Sequence, residues 1–360
     1  MSVEDDEEEG GALMLLGNPF TPDKTPFEKF MQQYDSETKA VITMQYTPDP
    51  DSMASALGMQ WLLEVQYGIS SEIIARGQVS HPQNLTMRNV LDIPIKDKPK
   101  FPYKEYDLVI VVDTVPQNTG FQDDFPEFHA VLDHHQFDLD LAHTDIRPCG
   151  ACSTIVWTYL DGPEFDWTSD RGVQVATALL FGILNDTQDL LSENRNSTDI
   201  AAHSDLITKV DRKKLQEIMQ YTLPSYLYDL RVEAVSNKVV KDSMLITSLG
   251  AITRKKRDAL PLIADEFMRM EGVETVVVFA IVQDHIEASV RSKNSAINVH
   301  DFCQRIFGEE YAGGKQGSGG AKTPLGFLYS VSDDDTIKNE ICTIAARLLT
   351  QRIIAFMSGG

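Results

Sequence analysis

The chain has 360 residues, 42% hydrophobic and 24% charged, which excludes a wholly disordered chain, a fibrous repeat and a small disulfide scaffold. Thirty-two basic residues against 54 acidic ones leave a net charge of −22. That balance repels a long nucleic-acid duplex, whose binding needs Lys and Arg to neutralise many phosphates, but it is compatible with a short phosphorylated ligand held by metal ions and a few local cations.

The length corresponds to two domains at about 100–200 residues each. Residues 1–35 read as an acidic extension. It opens on the run Glu4–Glu9, where like charges repel and stay solvated, so the first ten residues are expected to be disordered. From Ala40 the pattern becomes that of alternating strands and helices. Residues 40–46 (AVITMQY) form an apolar, β-branched run that ends in a Pro- and Asp-rich turn. Ser52 to Val65 places Ala56, Met59, Leu62 and Leu63 at helical spacing. Residues 72–75 read as a second strand. Residues 107–113 (DLVIVVD) are nearly continuously apolar, as in a strand covered on both faces, and residues 129–133 repeat that pattern. Helices are predicted over 153–160 and 171–184. Residues 206–238 read as a helical linker, broken by Pro224. A second unit follows over 239–360. Its strands are predicted at 239–249, 274–282 and 285–292 and its helices at 258–270, 299–307 and 336–357, with a Gly-rich loop at 313–320.

The fold class is therefore α/β: a mostly parallel sheet in residues 36–205, then a smaller α/β domain with a mixed sheet. Parallel sheets gather functional residues beyond the carboxyl ends of their strands. Here those ends read Asp49 and Asp51, then Asp113, then Asp133-His134-His135, with Asp186 arriving from a helix end. One such Asp is explained by helix capping. Four, together with two histidines, are not. Carboxylates brought together without compensation repel, and metal cations resolve the conflict. Carboxylate plus imidazole suits Mn²⁺, Fe²⁺ or Zn²⁺ better than Ca²⁺. A shared Asp suggests two ions about 3.5–4 Å apart, which together make a hydroxide that can attack phosphorus in line.

The cysteines, Cys149, Cys152, Cys303 and Cys342, suggest no disulfide framework. The lone CxxC of Cys149 and Cys152 lacks a second pair and reads as small buried residues in a turn. Trp61 and Trp157 fall in apolar helical stretches and are assigned to the core. His81, His143, His203, His285 and His300 lie outside the motifs and are read as surface or packing residues. The run Arg254-Lys255-Lys256-Arg257 is read as a solvated turn. No stretch approaches about 20 apolar residues, and an acidic start is unlike a signal peptide. The expected location is cytoplasmic.

Asp49-Pro-Asp51-Ser-Met-Ala-Ser55, the strand-closing Asp113, Asp133-His134-His135 and Asn185-Asp186-Thr187 resemble the four ordered motifs of DHH phosphoesterases. Arg291-Ser292 and the 313–320 loop resemble their accessory DHHA1 domain. The resemblance covers residues 38–335. It implies that Asp49 ligates a first metal and Asp51 a second, that Asp113 bridges them, and that His134 and Asp186 complete the second site. It further places His135 beside the scissile phosphate, with Asp133 orienting the neighbouring imidazoles. Arg291, Ser292, Gly313, Gly314, Lys315 and Gly317 would bind substrate. Two positions depart from the family pattern. Gln45 stands where the first motif has His, and its neutral amide oxygen weakens the first metal site. Lys315 stands where a His follows the glycines.

By this resemblance the chain is expected to be a two-metal, Mn²⁺-dependent phosphodiesterase of the nanoRNase type that hydrolyses short oligonucleotides or dinucleotides to mononucleotides, its two domains enclosing the substrate. Cyclic-dinucleotide hydrolysis and 3′-phosphoadenosine 5′-phosphate hydrolysis rank next. An inorganic pyrophosphatase ranks lower, and a nucleotide binder with a degraded first metal site is the non-enzymatic alternative. The expected partner is a short nucleotide, with no long duplex and no membrane; a homodimer is compatible with this reading.

Overall fold

A computed structural model describes residues 24–97, 106–121, 127–315, 317–326, 329 and 334–357. The acidic run at Glu4–Glu9 lies outside them. The chain divides into two compact units at Tyr221/Thr222.

In the first unit, helix α1 (Thr25–Met31) precedes strand β1 (Ala40–Thr43), α2 (Pro50–Tyr67), β2 (Ser71–Ala75), α3 (Pro82–Val90), β3 (Ile95–Asp97) and β4 (Leu108–Val112). Then come β5 (Ala130–Asp133), β6 (His143–Ile146), α4 (Cys152–Tyr159), α5 (Asp170–Asp186), α6 (Ser197–Leu206) and α7 (Arg212–Met219). The six strands form a sheet in the order β3-β2-β1-β4-β5-β6, and every described pairing is parallel. The order reverses between β1 and β4, which opens a crevice at their carboxyl ends. Alternate residues of each strand serve opposite faces. Ile42, Ile73 and Ile110 join the large core with α2, α4 and α5, whereas Val41, Ile74 and Val109 join a smaller cluster with Phe121. Helix α1 was counted above within the acidic extension. It is instead part of the core, because Phe27, Phe30 and Met31 are buried there.

Pro50 begins α2 as a residue with no N–H to satisfy, and Gly68 ends it in the left-handed region at φ 67°. Its N-terminal two-thirds is buried on all sides. That is feasible because α5 comes very close: a Cβ on Gly182 would lie 2.4 Å from Ser153 Oγ and 3.1 Å from Asp51 Oδ1.

The second unit contains α8 (Ser225–Asn237), β7 (Val239–Lys241), β8 (Met244–Ile252), α9 (Ala259–Phe267), β9 (Thr275–Val282) and β10 (His285–Ser292). It ends with α10 (Val299–Phe307), β11 (Ala312–Lys315), β12 (Ser318–Pro324) and α11 (Asp335–Met357). Its mixed sheet runs β11-β12-β10-β9-β8-β7, with β8 and β9 parallel and the other pairs antiparallel. Helices α8 and α9 cover one face, α10 and α11 the other.

The Gly-rich stretch 313–320 is not a loop but most of the β11–β12 hairpin, with Arg291 of β10 paired in register to Ser318. Trp61 and Trp157 are buried as expected. No helix among the described residues is long and apolar enough to cross a membrane.

Candidate metal centre

Each motif residue owes its position to an element end. Asp113 directly follows β4 and takes a left-handed backbone conformation at φ 58°. Such a conformation costs on the order of 1–3 kcal/mol, and Asp tolerates it better than most residues. Asp133 is the last residue of β5, and His134 and His135 follow it. Asp186 ends α5, and just beyond it Gln188, Asp189 and Leu190 are all left-handed.

Asp51 is fully buried in the first turn of α2. Its two carboxylate oxygens accept the backbone N–H groups of Cys152 (2.6 Å) and Ser153 (2.8 Å), at the start of α4. Those amides and the helix dipole stabilise its negative charge.

Asp49 meets the capping alternative directly. Its Oδ1 accepts from Ser52 N (3.0 Å), and the Ser52 hydroxyl accepts from Asp49 N, completing a capping box. Gln45 is half-buried just past β1.

Two groups of side chains converge, with one donor atom from each member within 4.8 Å of the others: Asp51, His134 and Asp186; and Asp113, Asp133, His134 and His135. His134 belongs to both. Its Nδ1 lies 3.1 Å from the Cys149 carbonyl oxygen. A carbonyl can only accept, so Nδ1 donates to it and Nε2 is the ring nitrogen left to face the carboxylates. Nε2 lies 3.4 Å from each of Asp113 Oδ1 and Asp186 Oδ2. His134 Nε2, Asp113 Oδ1 and Asp133 Oδ2 are buried without hydrogen-bond partners. Buried carboxylates gathered around one imidazole nitrogen repel one another, and a cation among them would balance that charge. The residues therefore fit a divalent metal.

The electrostatics agree. Burial, and then the charges of Asp51, Asp49, Asp186 and Asp133, push the Asp113 carboxyl well above the usual carboxylate range. Burial also raises Asp51, against the opposing influence of His134 and the Ser153 hydrogen bond. Asp133 Oδ1 accepts from the backbone N–H groups of His134 (2.7 Å) and His135 (3.1 Å) and from His135 Nδ1 (2.9 Å). It thereby fixes the His135 ring with Nε2 turned away from that contact.

Cys149 and Cys152 are buried free thiols whose pKa values burial raises, so they stay protonated and poor ligands.

The second unit holds a separate pocket of about 590 Å³, lined by Arg257, Glu287, Ser289, Arg291 and Lys322 and floored by hairpin glycines that include Gly313, Gly319 and Gly320. Arg291 pairs with Asp265 (2.6 Å) and also donates to the Ser289 hydroxyl. Arg257, read above as part of a solvated turn, pairs with the buried Glu287 at 3.1 Å. Ser292 is turned to the Thr275 hydroxyl (2.9 Å), and Gly314 N donates to His300 Nδ1 (3.2 Å). Lys315 is exposed, and Gly317 makes the hairpin turn at φ 77°. Of the six residues assigned to substrate, Arg291 and Gly313 line this pocket. Sequence reasoning missed Glu287 and Lys322. Their one signal is strand alternation, which puts Glu287, Ser289 and Arg291 on a single face.

Residues 39–183 match the DHH family, N-terminal domain. An uncharacterized protein of Methanocaldococcus jannaschii is 32% identical over 313 residues, which span 86% of this chain and 63% of that protein. The chain thus covers less than two thirds of that relative's length. Probable manganese-dependent inorganic pyrophosphatases of Streptococcus pyogenes are 22% identical over 286 residues, 75% of this chain and 82% of theirs. The crystal structure of an exopolyphosphatase-related protein from Bacteroides fragilis superposes with a TM-score of 0.66 at 17% identity, covering 90% of this chain and 96% of that one. At that identity the likeness is one of fold.

Proposed function

We propose, from the match of residues 39–183 to the DHH family N-terminal domain, that the chain is a metal-dependent phosphoesterase that cleaves short nucleotide phosphodiesters, dinucleotides above all, to mononucleotides. The observation that carries this reading is the buried His134 Nε2, without a hydrogen-bond partner and 3.4 Å from each of two carboxylates. Asp51, His134 and Asp186 would hold one ion, and Asp113 would share it with a second. Asp49 and Gln45 would contribute weakly to that second site, since Asp49 Oδ1 already caps α2. Divalent cations, Mn²⁺ being the reading favoured here, would neutralise charge on the phosphate oxygens and acidify a water. His135 has the complementary task. With Nδ1 tied to Asp133, its imidazolium is stabilised by that carboxylate. Its Nε2–H can then give a proton to the leaving oxygen as the phosphorus–oxygen bond breaks.

The 590 Å³ pocket of the second unit supports a nucleotide over a smaller inorganic anion, because it has the size of an organic ligand site and mixes Arg257, Arg291 and Lys322 with the hydrogen-bonding groups Ser289 and Glu287. The name of the streptococcal relatives favours a second reading, hydrolysis of inorganic pyrophosphate. The test is incubation with Mn²⁺ and, separately, linear dinucleotides, cyclic dinucleotides, 3′-phosphoadenosine 5′-phosphate and pyrophosphate, followed by product chromatography. Mononucleotides from the linear dinucleotides are expected. Orthophosphate from pyrophosphate, with the dinucleotides intact, would transfer the account to the second reading.

A further inference from the structure

The two metal-facing residues with the most exacting orientation, His134 and Asp51, draw their hydrogen bonds from one short stretch of chain. The Cys149 carbonyl accepts from His134 Nδ1, and the Cys152 and Ser153 amides donate to Asp51. Whatever holds residues 149–153 in place therefore holds both ligands. The side chain that does so is Asp199, on α6, fully buried and far along the sequence.

Its Oδ2 accepts the Gly150 N–H at 2.8 Å, immediately after the carbonyl that fixes His134. Its Oδ1 accepts the Thr154 hydroxyl at 2.6 Å, immediately after the amides that fix Asp51. The same Oδ2 takes the Asn196 N–H at 2.7 Å, closing the capping box of α6 and anchoring the carboxylate to its own helix. Asn196 adds a second tie, its Nδ2 donating to the Pro148 carbonyl at 2.7 Å. The fit is close. A Cβ on Gly150 would lie 2.5 Å from the Thr187 methyl and 3.0 Å from Asp199 Oδ2, so the stretch is wedged against the residue that follows Asp186.

We propose that Asp199 is a positioning residue for the metal centre, clamping residues 149–154 at both ends so that His134 keeps its Nδ1–H tautomer and Asp51 its orientation. The proposal rests on the metal-centre reading above. Partners of this kind fix the tautomer and basicity of a ligating histidine, and their loss typically costs about 10–100-fold in metal affinity. Removing the carboxylate leaves the Gly150 N–H and the Thr154 hydroxyl buried and unpaired, so the stretch must move to find other partners.

Two readouts separate this role from simple stabilisation. The first is the nitrogen-15 spectrum of labelled histidine in metal-free protein, taken at a pH high enough that the ring is neutral, which reports the His134 tautomer with no metal or activity involved. The second is Mn²⁺ affinity from equilibrium dialysis. In the wild type His134 should be the Nδ1–H tautomer. Asp199→Ala should mix the tautomers and weaken Mn²⁺ binding about 10–100-fold. Asp199→Asn should stay close to wild type, because the Thr154 hydroxyl can reverse and accept from the amide while the amide oxygen keeps the two N–H groups. Thr154→Val removes one end of the clamp with little change of shape, and it decides the matter on the same readouts should the alanine variant not fold. Leu206→Ala, a cavity on the same helix, should lower the melting temperature and leave tautomer and affinity alone. An unchanged tautomer and Mn²⁺ affinity in folded Asp199→Ala, or in Thr154→Val, overturns the clamp, as does an equal loss in Leu206→Ala. Failure of the wild type to bind Mn²⁺ would sink the metal reading, while the tautomer measurement would still decide the role of Asp199.

Discussion

The two units handle negative charge in opposite ways. At the carboxyl edge of the first sheet, Asp51, Asp113 and Asp133 are buried and acceptors outnumber donors, so the site can meet a phosphate only with cations supplied from outside. On the second sheet, Arg257, Arg291 and Lys322 line an open pocket together with Asp258, Glu287 and Glu310, and Arg257 and Arg291 are paired with carboxylates. A chain of net charge −22 thus has carboxylates crowded without partners at one place and carboxylates paired with arginines at another. Overall charge describes neither. The first site is also the more constrained: Asp113 sits at a positive φ, and Asp51 is locked to the start of α4. Arg291, by contrast, reaches an exposed partner, Asp265.

The sharpest way to break this contrast is Asp113→Asn, which should abolish Mn²⁺-dependent hydrolysis with the fold intact. The same variant should be more stable than wild type in the absence of metal at neutral to alkaline pH. The sign follows from the raised carboxyl pKa: the stability Asp113 contributes is present in acid and lost as pH rises through its folded-state value, and Asn has nothing to lose. Thermal unfolding from pH 5 to 8 without metal should show the wild type weakening relative to the variant. Parallel curves would mean that the carboxylates do not crowd one another.

In the second unit the effect should be one of binding. Arg291→Ala should raise KM for a 5′-phosphorylated dinucleotide about tenfold, the worth of one charge-assisted hydrogen bond, and leave KM for a small generic phosphodiester nearly unchanged. Equal effects on both substrates would remove the pocket from recognition. The smallest effect is expected at Gln45. Gln45→His should lower the Mn²⁺ concentration for half-maximal rate by about threefold to tenfold, an imidazole being the better ligand. An unmoved titration would place residue 45 away from the metals.

What the sequence discloses follows from how local each cause is. Strands β4 and β5 are legible because a strand covered on both faces needs an unbroken apolar run, and the aspartates closing them mark the sheet edge. Asp49 shows the limit of that logic. Capping and metal ligation call for the same residue at the same place, and only the bond from Ser52 N reveals that capping is in force. The β11–β12 hairpin was read as a loop because glycines carry no alternation. It forms because β10 offers an edge with which β12 pairs in register. Helix α1 was hidden by the acidic run before it, although Phe27, Phe30 and Met31 are spaced for one face. Asp199 was out of reach altogether. Its visible signal, Asn196-Ser-Thr-Asp199, announces a capping box, and nothing local says that the same carboxylate spans to Gly150 and Thr154.

The account stands on cations occupying the space between His134 Nε2 and the carboxylates of Asp51, Asp113 and Asp186. Crystals soaked in Mn²⁺ and measured at a wavelength where manganese scatters anomalously test this directly. An anomalous peak within bonding distance of His134 Nε2 and at least two of those carboxylates is predicted. Saturating Mn²⁺ with no peak there would contradict the account.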